Sequence, residues 1–396
     1  MSGSGLLAKR PRLRADLIFS RPLRRGPDTV YLIKDRRSAR AFEISPKEQF
    51  LLRRLDGARS LADIGAEYAA EYGRRLGDEH WTRLLWLLHE RDLLSTRPVG
   101  TVGDDSDSAP GGPAPLGVLG WWAHRLRWLL RPAVFALLAV LVAALLAVVG
   151  LRLGPLWQAA RPAFTDPVAL LALTLLAWFG AALHEFAHAL VAVHVGATVN
   201  RINLITLTCE IEDYLYLPRR SQQVMIAVAG AVANGLVLLV VGVALAALPG
   251  AFADRLFSAY VLVGAAQTLV NLVPLPPLDG YKIVSHLLGL LNLAPESRRY
   301  LTTLSRRLVR RPGPRYPRRT AVQLGLFAGW WLIAFAAVAA VVIGVGGALL
   351  RPALGTLSYV PPAAIVGLTI AGWLARPHRH RPADRTPPQP LNRNNQ

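Results

Sequence analysis

His184, Glu185 and His188 stand within five positions of one another in the apolar stretch "FGAALHEFAHALVAVHVG", residues 179–196. Side chains four apart on a helix project from one face, so both imidazoles reach a single point. Two such histidines with a glutamate after the first can hold zinc, with the carboxylate set to take a proton from water. Ionisable groups inside a hydrophobic span are costly, and a bound cation would offset that cost. The competing explanation is a pair of histidines satisfied by hydrogen bonds in a helix bundle. Such a bundle has no use for Glu185.

A catalytic zinc takes three protein ligands and leaves one position open. His194 falls where an extended H-E-x-x-H-x-x-G-x-x-H motif has its third histidine, but Val191 replaces the glycine. Six residues past His188, an unbroken helix has turned through about 600°, off the metal face. Glu210 and Glu212 lie in the polar segment "CEIEDYLYLPRR", where acids need no metal to explain them. Asp279 lies in "NLVPLPPLDGYK", after Pro274, Pro276 and Pro277 interrupt an apolar run, and Gly280 lets the chain turn behind it. Irregular backbone at membrane depth is tolerated where it is buried or lines a cavity.

The elements that must position these residues are apolar. The chain has 396 residues, of which 53% are hydrophobic, more than a soluble enzyme carries. Six runs approach the ~20 residues of a membrane span: 132–151, 168–195, 222–248, 257–275, 322–349 and 357–375. The fold class expected is a multi-pass α-helical membrane protein with a small N-terminal α+β unit. Lys and Arg number 45 against 25 Asp and Glu, a net charge of +20. The excess clusters beside the apolar runs, as juxtamembrane charge does, so a nucleic-acid partner is not expected. Arg125, Arg127 and Arg131 precede the first span, nine arginines fall between Arg298 and Arg319, and Arg376, Arg379, Arg381 and Arg385 follow the last. Six spans with both termini in the cytoplasm put all of them on the cytosolic side of a cell membrane. The second and fourth runs then end on the same side, which brings Asp279 to the depth of the two histidines. Asp279 is the expected third ligand.

The lone Cys209 excludes an intramolecular disulfide and fits a reducing compartment. The N-terminus lacks the long apolar core of a signal peptide. The Ala-, Arg- and Leu-rich composition fits a bacterium with a GC-rich genome.

Residues 15–98 read as a separate unit. "TVYLIKDRRSARAFEI" gives two short strands around a charged turn, with Val30, Leu32, Phe42 and Ile44 as candidate inward positions. Ser45 caps a helix with Pro46 and Glu48, which Gly57 ends, and Ser60 caps a second that stops at Gly73. "DEHWTRLLWLLHERDLL" supplies a third helix, making a winged-helix-like unit. Residues 99–117 are a flexible linker by composition, and the Pro-rich basic tail 376–396 is disordered by the same test. Residues 118–375 form the membrane domain.

Over residues 168–285 the chain resembles the site-2 proteases, a family of intramembrane zinc metalloproteases. "HEFAH", "AVAGAVANG" and "NLVPLPPLDG" carry the resemblance, in the family's order. Ala231 stands where the middle motif usually has proline. The resemblance implies His184, His188 and Asp279 as zinc ligands and Glu185 as general base. It implies substrate contacts for Asn271, which would hold the substrate or its developing oxyanion, and for Asn234. Residues 197–218 resemble the family's short β segment, whose edge takes an extended substrate by strand addition. "DYLYLPRR" resembles the matching loop of a subgroup often called peptide zinc metalloproteases.

The N-terminal unit resembles the PqqD-like domain, which binds leader segments of ribosomally made, post-translationally modified peptides. Together the two resemblances imply an intramembrane endopeptidase that matures a precursor peptide. One alternative is regulated cleavage of a single-span membrane protein. Another is a non-catalytic peptide-binding or export partner, which the intact Glu185 disfavours.

Overall fold

The computed structural model describes residues 4–95, 117–308, 312–375 and 389–390. The expected linker and basic tail lie outside these residues, save for 117 and 389–390. The chain divides into two compact units: Met1–Leu23, Val30–Gly289 and Pro390–Gln396 in one, Arg24–Thr29 with Leu290–Gln389 in the other.

Eight elements come first: α1 (Ser4–Leu7), β1 (Leu17–Phe19), β2 (Leu23–Arg25), β3 (Asp28–Asp35), β4 (Ala41–Ile44), α2 (Pro46–Leu52), α3 (Leu61–Tyr72) and α4 (Asp78–Glu90). Ser45 and Ser60 close reciprocal capping boxes with Glu48 and Asp63, satisfying backbone N–H groups that a helix start leaves unpaired. Gly73 ends α3 in the left-handed region that favours glycine. Gly57 does not end α2. That helix stops at Leu52, and the chain then turns so that the Leu55 carbonyl accepts the Leu13 N–H at 2.9 Å.

Central strand β3 pairs antiparallel with β1 and β4, placing Ile33 opposite both Phe19 and Phe42, and Tyr31 opposite Ile44. These side chains share one face and pack with Leu51, Leu61, Ile64, Trp81 and Leu88 into one core. Leu6, Leu7 and Leu13 pack against it too, so this unit begins before residue 15. Val30 and Leu32 are buried as expected, but on the opposite face from Phe42 and Ile44. Side chains alternate along a strand, and the pairing of Ile33 with Phe42 fixes the parity.

Within Val30–Gly289 follow α5 (Gly117–Arg125), α6 (Pro132–Leu151), α7 (Leu153–Ala160), α8 (Pro167–His194), β5 (Val199–Asn203), β6 (Thr208–Ile211), α9 (Arg220–Ala246), α10 (Ala251–Leu272) and α11 (Asp279–Leu288). Asp166 starts α8 by accepting the Val168 and Ala169 N–H groups. β5 and β6 form an antiparallel hairpin, with Ile202 opposite Cys209 and Asn203 opposite Thr208. The second unit contains α12 (Leu293–Leu308), α13 (Arg318–Leu354) and α14 (Val360–Ala375).

Four described helices are long and apolar enough to cross a bilayer: α6, α8, α9 and Arg318–Ala348 of α13. The chain is a helical membrane protein. The other two expected spans form shorter or more polar helices. α10 includes Asp254, Arg255, Gln267 and Asn271, and α14 has 16 residues, short of the ~20 that span a bilayer upright.

The second face of β3 is anchored by charge. Lys34, 5% exposed, donates to Asp213 at 2.6 Å and reaches Glu212 at 2.8 Å, just after β6. Asp213 also accepts from the Thr198 hydroxyl at 2.7 Å. Breaking a buried ion pair from one side strands the other charge. Lys34→Met should therefore destabilise the protein by about 3–5 kcal/mol. Adding Asp213→Asn should recover much of that loss in denaturant unfolding of the protein in micelles. A double variant no more stable than Lys34→Met would show that the two charges are not coupled.

Candidate metal centre

α8 and α9 lie side by side and antiparallel. His188 Nδ1 is 2.7 Å from the Ile226 carbonyl, and one helical turn away the His184 ring lies against Gly230. A carbonyl only accepts, so His188 Nδ1 carries the proton, which in the neutral ring leaves the Nε2 lone pair for an ion. A methyl group at Gly230 would fall inside the His184 ring, so this position admits only a hydrogen.

Asp279 arrives from the far side. α10 ends at Leu272, and the chain passes through Pro274, Pro276 and Pro277, with a cis bond between the last two. It then starts α11 at Asp279. Gly280 is required by close approach, since a Cβ there would collide with the Leu272 carbonyl; it does not adopt a turn conformation. The first turn of α11 suits a carboxylate, because helix N-termini favour negative charge. Lys282, one turn on, donates to Asp279 Oδ1 at 2.8 Å. That leaves Oδ2 for the histidines.

Asp279 Oδ2 lies 2.8 Å from His184 Nε2 and 2.9 Å from His188 Nε2, and the two nitrogens are 3.1 Å apart. All three residues are buried. Lone pairs gathered this closely repel one another unless a proton or a cation sits among them. A tetrahedral ion ~2 Å from each ligand atom sets those atoms roughly 3.3 Å apart, near the separations found. The cluster can hold a metal ion.

Glu185 is half-buried, with no hydrogen bond or ion pair to another described residue. Ile202, Cys209 and Ile211 of the hairpin pack in one apolar cluster with Phe186, Ala189 and Leu190 of α8, so the hairpin lies against the helix that carries the histidines. Burial pushes the Cys209 thiol up to about 12. Tyr214 packs its ring edge-on against His286 of α11 at 4.4 Å between centroids. Burial lowers His286 to about 4, so this wall is uncharged at neutral pH.

His184, His188 and Asp279 thus converge as the sequence suggests. His194 is exposed at the end of α8, Glu210 is exposed on β6, and Glu212 is engaged by Lys34. Asn234 is buried within α9, and Asn271 is half-buried in the last turn of α10. Sequence reasoning missed Lys282 as the partner of Asp279, although acid–base spacing of three on a helix signals such a pair. It also missed the contact between Gly230 and His184, which no local pattern encodes. Searches against protein-family models, curated proteins and solved structures return no match to this chain.

Gly230→Ala should displace the His184 ring and weaken metal binding by roughly tenfold or more, the scale of losses around metal ligands. Chelator competition on the purified protein reads the change. Unaltered affinity would mean that α8 and α9 separate freely at this contact.

Proposed function

We propose that this chain is a zinc-dependent intramembrane endopeptidase of the site-2 protease type. The convergence of two imidazole nitrogens and one carboxylate oxygen beside an unpaired glutamate, in a membrane protein, carries the reading. His184, His188 and Asp279 would hold the zinc, whose Lewis acidity polarises a carbonyl and acidifies water when bound. Glu185 takes the proton of the attacking water and delivers it to the amide nitrogen as the peptide bond breaks. Asn271 is the proposed contact to the substrate carbonyl.

A peptide bond inside a helix is shielded by its own hydrogen bonds, so the substrate must be extended before attack. The β5–β6 hairpin, packed against α8, suits that need by strand addition. Lys34 joins the N-terminal sheet to the segment that leaves this hairpin. That arrangement favours a peptide precursor, recruited through a PqqD-like leader interaction, over a single-span membrane substrate. Six crossings remain the proposed topology. If α10 did not cross, the arginines from Arg298 to Arg319 would face the non-cytosolic side, against the positive-inside rule.

Glu185→Gln should keep its zinc while cleavage of the precursor falls by roughly 10²–10⁴, the usual worth of a general base. Asp279→Ala should lose the zinc as well. Equal cleavage by wild type and Glu185→Gln would remove this mechanism.

Trimming the leader from the precursor should raise KM and leave kcat nearly unchanged. A KM indifferent to the leader would remove the recruitment role of the N-terminal unit.

A further inference from the structure

Each metal-facing histidine has a second ring nitrogen that needs a partner, and the two differ. His188 Nδ1 has the Ile226 carbonyl. His184 Nδ1 is buried with no hydrogen-bond partner among the described residues. Asn234 is 5% exposed, and both its Nδ2 and its Oδ1 are likewise buried without a partner. Unpaired polar atoms at this depth are rare, and here they occur on two helices in contact.

The register of that contact relates them. His188 meets Ile226 and His184 meets Gly230, so a step of four back along α8 matches a step of four forward along α9. Continued by one more step, the same register would bring Gly180 opposite Asn234. Gly180 contributes no side chain, and a Cβ there would find only Gln267 Oε1, at 3.8 Å. Side chains on a helix lean toward its N-terminus. Asn234 therefore leans back toward Gly230 and the His184 ring, while His184 leans toward Gly180 and Asn234. In antiparallel helices these two tilts are toward each other. α9 is also held in its rotation, because Gly235 is packed against Val142 too closely for any side chain.

We propose that Asn234 is a positioning residue for the metal site: its side-chain carbonyl accepts the Nδ1–H of His184, directly or through one water. The bond would fix the His184 tautomer, leaving the Nε2 lone pair for the ion, as Ile226 does for His188. Asn234 then acts through His184 and does not touch substrate. The inference rests on the metal-site reading above and deepens it.

The test is zinc affinity of the full-length protein in micelles, by chelator competition, for wild type, Asn234→Leu and Asn234→Asp. Asn234→Leu keeps the volume and removes the acceptor, so its affinity should fall roughly 10–100-fold, the range for such outer partners. Asn234→Asp keeps an acceptor oxygen and should stay within a few-fold of wild type. In peptide cleavage at saturating zinc, KM should be the same for all three. Cobalt substitution gives a further readout, an altered visible spectrum in Asn234→Leu alone.

Wild-type affinity in Asn234→Leu would overturn the proposal and leave the metal centre standing. So would equal losses in the Leu and Asp variants, which mark a packing role, or a raised KM at unchanged affinity, which marks a substrate contact. Failure of the wild type to bind zinc would instead remove the metal-site reading itself, and this proposal with it.

Discussion

A carboxylate cannot be buried among apolar helices without something to balance it, and Asp279 is buried between two imidazoles. Its two oxygens are used differently. Oδ1 takes the Lys282 ammonium, and Oδ2 faces His184 and His188. The histidines come from one helix and the carboxylate from the start of another, so no local segment could assemble the group. α8, α9, α10 and α11 must hold their places together for three ligand atoms to meet. Charge neutralisation at this point is therefore a constraint on the packing of the whole membrane unit.

Glycine enforces much of that packing. At Gly230 the missing side chain admits the His184 ring, and at Gly280 it lets α11 start against the end of α10. At Gly235 it admits Val142 of α6. Membrane helices gain little from hydrophobic burial against one another, so close contact through small residues supplies much of their association. In this protein such contacts also set ligand geometry. A residue that fills any of them changes packing and site together.

The sequence was legible where the chemistry is local and the pattern periodic. His184 and His188 share a face by spacing alone, and the capping residues Ser45 and Ser60 announce their helices. Asp279 could be chosen only through topology, because its distance from the histidines depends on two further helices. The sheet faces were harder. Val30 and Leu32 are apolar like Phe42 and Ile44, but strand pairing puts them on opposite sides. An apolar residue reports burial without saying which face is buried. Lys34 was unreadable for the converse reason: a lysine in a strand suggests solvent, and its partners Glu212 and Asp213 stand in a loop far along the chain.

The burial of Lys34 bears on how recruitment and cleavage could be linked. A domain joined only by a flexible tether raises the local concentration of its cargo but imposes no direction on it. Lys34 instead joins the sheet of the N-terminal unit to the segment that leaves β6, while β6 itself packs against α8, the helix that carries Glu185. Any shift of that sheet is felt at Asp213, and through it at Thr198, the residue ahead of β5. A peptide held on the N-terminal unit would then be offered to the hairpin in a fixed orientation. The same contact penalises separation of the two parts, since parting breaks both ion pairs of Lys34. Stability of the seat thus depends on one buried lysine and the two carboxylates it engages.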